Sequence, residues 1–412
     1  MPTASPAAEP PRECDLAIVG AGIVGLAVAR ELALRHPGAA IAVLEAAPEI
    51  GAHQTGHSSG VVHAGIYYRP GSLKAELCVA GARELFEYCA ERGIRAERPG
   101  KLIVATEPDE LAGLDELECR GSANGVEGLQ RIGPESIREI EPHVRGVAAL
   151  RSPATGVVDF GEVARSFAAD LTAAGGTVST GCAVRSTDAR GGRIALIHDR
   201  GETTARAAVL CAGTWSDRLA VAAGASPDPR IVPFRGGYVR LRPERAGLVR
   251  TSIYPVPDPD LPFLGMHLTR GLDGSVEAGP SALMVAARDA YRPWRVRPRD
   301  LAQTVAWPGT WRLARRHWRT GLAELRHGLS RRSFVAALRR YVPELQPSDI
   351  VAGHAGVRAQ ALGRDGTLID DFVVSRTERA LHVRNAPSPA ATSSLALAAR
   401  IADMLEYDPG LE

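Results

Sequence analysis

The stretch from Ala17 to Glu45 constrains this chain more than any other. An apolar run ends in Gly20-Ala21-Gly22-Ile23-Val24-Gly25, an apolar-periodic segment follows, and a second run, Ile41-Ala42-Val43-Leu44, closes on Glu45. The pattern predicts a strand, a glycine-rich turn, a helix and a second strand tipped by an acid. In a chain with 43 glycines the glycine spacing alone carries little. Its setting between a strand and a helix, with the acid beyond, marks a dinucleotide-binding unit. Gly20 permits the tight turn, Gly22 lets backbone approach a pyrophosphate, and Gly25 lets the helix pack against the sheet. The amides that open the helix then face the phosphates. Glu45 can accept hydrogen bonds from ribose hydroxyls and would repel a 2′-phosphate, which disfavours NADP.

At 412 residues the chain has material for two or three domains and an ample core. A net charge of +2 gives no reason to expect a nucleic-acid partner. Cys14, Cys78, Cys89, Cys119, Cys182 and Cys211 form no C-x-x-C pair and no metal-ligand cluster. They read as thiols of a reducing compartment, so a cytoplasmic protein with no metal is expected. Residues 1–13 are rich in Pro and Ala and read as a disordered leader, not a signal peptide. No stretch approaches the roughly 20 apolar residues that span a bilayer.

Residues 51–71 are glycine-rich and polar, with three histidines and the pair Tyr67-Tyr68. Such a loop directly after a nucleotide-binding unit is expected to be functional. Helical periodicity resumes over 72–92. A strand is expected at 101–105 and helices at 109–120 and 134–140. Gly156–Gly161 reads as a turn feeding a helix to about Ala174, with short strands at Thr177–Thr180 and Ile194–His198. Ala207–Gly213 has the pattern of a buried parallel strand returning to the first sheet, with Gly213 close to the cofactor. Between Ile231 and Val285 the alternating runs around Phe234-Arg235-Gly236-Gly237-Tyr238, 262–268 and Ser275–Ala278 predict antiparallel strands. Residues 288–340 read as helical and carry fourteen arginines against three acids, with Trp294, Trp307, Trp311 and Trp318. That face is either simply solvated or a peripheral docking surface for anionic lipid or a redox partner. Small residues and hydroxyls from Asn385 to Ser394, before a last helix to Leu405, again suit close approach to a cofactor.

Taken together, these features resemble the FAD-dependent oxidoreductases of the D-amino-acid oxidase and glycine oxidase superfamily. The block from His53-Gln54-Thr55-Gly56-His57-Ser58-Ser59-Gly60 through Val61-Val62-His63-Ala64-Gly65-Ile66-Tyr67-Tyr68, followed by Pro70–Ala75, resembles one branch, the L-2-hydroxyglutarate oxidase/dehydrogenase family. Tyr254–Pro259, Pro262–Gly265, Leu268–Arg270, Asp273–Val276, Ala355–Gln360, Asp365–Phe372 and Asn385–Ser393 fit the same branch, so the resemblance spans nearly the whole chain.

The resemblance implies an α/β fold: a split Rossmann-like FAD-binding domain with a second, α+β substrate domain built on an antiparallel sheet. The FAD-binding domain is expected in three pieces, 14–92, 150–230 and 346–412, and the substrate domain over 93–149 and 231–345. FAD would be held by Gly20, Gly22, Ile23, Val24, Gly25, Glu45 and Ala46, by Thr55, Gly56, His57, Ser58, Ser59 and Gly60, and by Val184, Ala212, Gly213 and Trp215. Arg358, Pro389, Ala390, Ala391 and Thr392 would complete that site. His53 could tether the flavin covalently, although unlinked FAD is expected. The implied reaction is oxidation of an L-2-hydroxy acid to the 2-oxo acid, with electrons passed to oxygen or a quinone, and L-2-hydroxyglutarate is the leading substrate.

That reaction needs a cation for the carboxylate, a base for the hydroxyl proton and a hydride acceptor. Arg358 suits the carboxylate through bidentate, charge-assisted bonds. His63 and His57 are the base candidates. His63 is preferred because Ala64-Gly65 leaves space beside it, and either histidine could instead only contact the flavin. Tyr67 and Tyr238 are candidate hydroxyl donors. Two places depart from the family pattern: Gly236-Gly237-Tyr238-Val239 lacks an acid and an aromatic residue, and Gly353-His354 replaces an aromatic–proline pair. His354 could therefore join the acid–base chemistry, and a related hydroxy acid in a specialised pathway stays open. An amine or amino-acid oxidase of the same fold is the alternative, and a non-catalytic flavin-binding partner is a third reading.

Overall fold

The computed structural model describes residues 8–258 and 264–406. Six strands form the nucleotide layer in the order Val373–Thr377, Ala380–Asn385, Ala207–Leu210, Leu16–Val19, Ile41–Leu44, Thr177–Ser179. All neighbours are parallel except the first pair. The four residues of Leu16–Val19 and of Ile41–Leu44 are almost wholly buried, as a parallel strand covered on both faces requires. Helices Ile23–Arg35, Phe160–Ala173 and Ser394–Glu406 cover one face, joining Leu26, Phe167 and Leu397 in a single apolar cluster. Each of these side chains contributes roughly 1.5–3 kcal/mol by leaving water. The expected return of Ala207–Leu210 beside the first strand is present, in register from Leu16↔Ala207 to Val19↔Leu210.

The second layer is a nine-stranded, mainly antiparallel sheet. Its spine is the pair Arg230–Leu241 and Ile350–Leu362, antiparallel from Arg230↔Leu362 to Leu241↔Ile350 with an irregularity between Gly237 and Val239. Val276–Gly279, His267–Arg270, Ser252–Pro255 and Lys101–Ala105 follow across the sheet. This arrangement agrees with the expected α/β fold with an antiparallel substrate sheet.

Several local expectations need correction. Gly156–Val158 is a strand rather than a turn, paired with Val61–Val62 and Ala96–Glu97. The following helix starts at Phe160 because the Asp159 carboxylate accepts from Gly161 N and Glu162 N. Residues 288–297 are not helical. The helices of that segment begin at Pro298, where a missing N–H costs nothing. Within the stretch read as a disordered leader, Pro11 O accepts from Thr203 Oγ1 and Arg12 O from Thr204 N, and Glu13 pairs with Arg193. Pro259, Pro262 and Phe263 lie outside the described residues.

A buried network of charges joins the two layers. Arg288 pairs with Asp217 and donates to Thr214 O, while Arg218 pairs with Asp300 at 2.5 Å. Asp300 also accepts from Arg288 N at 2.9 Å.

Candidate active site

At the nucleotide end, Gly20 has φ +104°, and a Cβ there would lie 2.5 Å from Cys211 O. A Cβ on Gly25 would meet Gly20 O at 2.0 Å. Only glycine fits either position. At Gly22 the same atom meets nothing nearer than Thr55 Oγ1 at 3.4 Å, so this glycine leaves open space over the first turn of Ile23–Arg35. The Ile23, Val24 and Gly25 amides belong to that turn and have no helical acceptor of their own. Thr55 Oγ1 takes the Ile23 N–H at 3.0 Å. Glu45 is buried, with Oε2 accepting from Ala21 N at 2.6 Å and Oε1 from Ala47 N at 2.7 Å. Each oxygen keeps a further lone pair for a ribose hydroxyl. Ala46 beside it is exposed, and Val184 is partly buried at the start of its strand. Gly213 turns at φ +51° beside Gln54, next to Ala212, and Trp215 meets His53 edge-on at 5.0 Å.

The loop from His53 to Gly60 then runs toward the C-terminal turn. Gly56 N donates to Gly51 O and Ser58 N to Thr55 O, and Gly60 adopts φ +73°. Thr392 Oγ1 accepts from His63 N at 3.1 Å and Ser388 Oγ lies 3.2 Å from His63 Nε2. Ala390 N donates to Pro387 O, which closes the turn holding Ser388 and Pro389, with Ala391 next in the chain. Segments more than 300 residues apart in sequence thus form one wall.

His57 Nδ1 donates to Ala355 O at 2.9 Å, since a carbonyl can only accept, and its ring stacks on Tyr291 at 3.8 Å. The neutral ring therefore keeps its lone pair on Nε2. Burial lowers its pKa, with the bond to Ala355 opposing and His354 and His53 adding to the fall.

The facing sheet carries the polar groups. Burial, then the charges of Lys101, His267 and Lys74, push His63 down to about 3, so its imidazole is neutral across the working pH range. His267 is also pushed to about 3, by burial and then by Arg358 and Lys101 against its bond to Gly265 O. Its ring stacks on Tyr254 at 4.1 Å. Tyr67 donates to Pro255 O at 3.4 Å. Burial raises the Tyr238 pKa, while Arg358 and the Ser59 hydroxyl pull against that rise. Arg358 sits opposite Phe234 in the long strand pair, and His354 lies at that strand's irregularity, stacked on Tyr238. His63, Tyr238, Arg358 and His354 therefore gather around one region with His57 at its edge, while Val184 and Ala46 lie away from it. Sequence reasoning missed Lys74, Lys101, Tyr254, His267, Glu277 and Tyr291. The one usable signal was Lys101, a lone charge opening the apolar run Leu102–Ala105.

A family model described as FAD dependent oxidoreductase matches residues 15–404. The chain is 47% identical over 409 residues to the mitochondrial L-2-hydroxyglutarate dehydrogenase of Homo sapiens, covering 95% of this chain and 88% of that protein. Identity is 46% to the Nematostella vectensis protein of the same name, over 96% and 91% of the two chains. It is 42% to L-2-hydroxyglutarate dehydrogenase of Indibacter alkaliphilus, over 94% and 97%. This chain belongs to the L-2-hydroxyglutarate dehydrogenase family.

As a family member it is an FAD-dependent oxidoreductase, and the open cradle at Gly22 with the buried Glu45 beyond it fits the ADP half of FAD. The fold is shared with FAD-bound L-alpha-glycerophosphate oxidase of Mycoplasma pneumoniae, at a TM-score of 0.79, 21% identity and coverage of 96% and 95%. It is also shared with glycine oxidase of Geobacillus kaustophilus, at a TM-score of 0.72, 20% identity and the same coverage. Among the described residues no helix is long and apolar enough to cross a membrane.

Proposed function

We propose that the chain oxidises L-2-hydroxyglutarate to the 2-oxo acid. One observation carries this reading: two cations, Lys101 and Arg358, both act on buried His267, and Lys101 also acts on the neutral His63. A dicarboxylate suits such a cluster better than a substrate with one carboxylate. Arg358 holds the C1 carboxylate in bidentate fashion. His63, held neutral mainly by burial, takes the hydroxyl proton, and a substrate carboxylate offsets the further lowering that comes from Lys101 and Lys74. Tyr67 and Tyr238 orient the hydroxyl. When bound, the flavin of FAD supplies the two-electron acceptor for the hydride leaving Cα.

The test is anaerobic mixing of the FAD-loaded protein with L-2-hydroxyglutarate, lactate, malate and several amino acids. Bleaching of the oxidised-flavin band by L-2-hydroxyglutarate, without release of ammonia, supports the reading. Bleaching only by amino acids, with ammonia formed, favours the amine-oxidase alternative instead. Aerobic peroxide production set against anaerobic quinone reduction then identifies the acceptor.

The proposal extends to a peripheral lipid contact. Trp294, Trp311 and Trp318 are 74%, 61% and 60% exposed, beside exposed Leu301, Val305, Leu322 and Leu325 on the helices of 298–329. Arg312, Arg315, Arg316, Arg319 and Arg326 share those helices. Interfacial tryptophans flanked by arginines suit an anionic leaflet. Cosedimentation with anionic but not neutral vesicles, lost on replacing Trp311 and Trp318 with Ser, is expected. No binding to anionic vesicles at low salt would remove the idea.

A further inference from the structure

We propose that Lys101 binds the second carboxylate of the substrate and so sets the preference for a dicarboxylic over a monocarboxylic 2-hydroxy acid. This assignment rests on the hydroxy-acid reading above.

Lys101 opens a strand whose five residues are all buried, and it is only 2% exposed. Alternation along the strand separates its neighbours. Leu102 and Val104 enter one apolar cluster, while Ile103 and Ala105 face the other with Tyr254 and Tyr67. Lys101 points with the second set. Its Nζ lies 4.7 Å from the Tyr254 ring centroid and 4.8 Å from that of Tyr67. Among the described residues no carboxylate forms an ion pair with it, whereas Lys74 is already paired with Asp370 at 2.7 Å.

A buried ammonium held only by ring faces is costly, because aromatic quadrupoles replace little of its lost hydration. A carboxylate arriving beside it would remove that cost, which is how a site comes to require one. The location is right for this role. Lys101 and Arg358 both act on His267, and Lys101 also acts on His63. Lys101 and His267 share the Tyr254 ring, and both cations lie within electrostatic reach of His267, so the assignment gives each cation one carboxylate. Burial brings Lys101 down to about 7, so its proton is held loosely until an anion fixes it.

The experiment compares wild type with Lys101→Met, which keeps the unbranched side chain to within one atom and removes the charge. L-2-hydroxyglutarate and L-2-hydroxyvalerate serve as substrates, and glutarate and valerate as unreactive ligands followed by calorimetry. The variant should lose on the order of 10²–10³ in kcat/KM for the dicarboxylate, mainly through KM. Its kcat/KM for L-2-hydroxyvalerate should fall far less than that for L-2-hydroxyglutarate, and the glutarate preference should be abolished. Equal losses on both substrates, or unchanged glutarate affinity, would overturn the assignment. If the variant does not fold, wild type still decides, since it must bind glutarate much more tightly than valerate. A wild type that oxidises neither hydroxy acid refutes the parent reading alone, because the glutarate arm reports on Lys101 without turnover.

Discussion

His354 lies face to face with Tyr238, ring centroids 4.5 Å apart and planes 11° from parallel, while its Nδ1 meets the Glu277 carboxylate at 2.9 Å. The Glu277 carboxylate accepts the Nδ1 hydrogen bond and orients the ring, and Nε2 is a buried atom with no hydrogen-bond partner. An unpartnered buried nitrogen held between Glu277 and Tyr238 is a candidate contact for a substrate hydroxyl. Replacing Glu277 with Gln should lower kcat/KM about tenfold, the difference between a charge-assisted and a neutral hydrogen bond. His354→Phe keeps the stack on Tyr238 but should lose at least as much. Unchanged steady-state kinetics in both variants would reduce the pair to packing.

The base assignment separates from flavin binding by a simple pair of measurements. His63→Asn should cut turnover on the order of 10²–10⁴. Its FAD content should match wild type, because the His63 N–H to Thr392 bond is made by backbone and survives. Normal turnover in this variant would move the role to His57 or His354.

Gly22 and Gly25 should behave oppositely although they share one motif. A methyl at Gly22 meets only Thr55 Oγ1, at 3.4 Å, so Gly22→Ala should leave the ligand-free melting temperature nearly unchanged while abolishing FAD retention. A methyl at Gly25 collides with Gly20 backbone at 2.0 Å, so Gly25→Ala should destabilise the protein even without cofactor. Full FAD occupancy in Gly22→Ala would show that the open space is not the phosphate cradle.

Acid stability follows from histidines held neutral. Burial lowers His267 to about 3 and His382 to about 4, with charges from Arg358 and Lys101 adding at His267 and from Arg384 at His382. Between the unfolded value near 6.5 and those folded values the unfolded chain binds more protons. Stability is therefore present above about pH 6.5 and falls as the pH drops toward 4. The loss is roughly 2 kcal/mol per histidine at about pH 5. His382→Gln, which can keep the bond to Thr377 Oγ1, should flatten the dependence of the denaturation midpoint on pH between about 8 and 5. An identical slope in the variant would locate the acid sensitivity elsewhere.

The nucleotide layer was readable because its signals are local. Gly20, Gly25 and the runs 16–19 and 41–44 each carry their constraint within a few residues. The return strand 207–210 was equally plain from its apolar run. The strand 350–362 was not, since Gly353, His354, Gly356 and Arg358 break any alternation of apolar and polar residues. Its pairing with 230–241 supplies what the pattern lacks. The polar wall was half visible. His57 and His63 stand in a histidine-rich loop, and Arg358 in a recognisable block. Lys101, His267 and Glu277 come from three separate strands, and only the sheet brings them to one face. Val157 and Val158 were hidden in a short glycine-bounded run that becomes a strand only when Val61 and Val62 pair with it.

The Asp217–Arg288 ion pair decides where this molecule can be cut. Arg288 is bound to the Gly213–Trp215 turn through Thr214 O, and Asp300 completes the charge balance for Arg218 and for the Arg288 backbone. A deletion that starts at Pro298 to trim the basic helices would strand the Arg218 guanidinium and leave the Arg288 N–H without its acceptor, next to the Gly213–Trp215 turn. One that starts after Gln303, which also accepts from Arg218, would leave every one of those charges answered. A shortened version therefore has to keep the chain through Gln303.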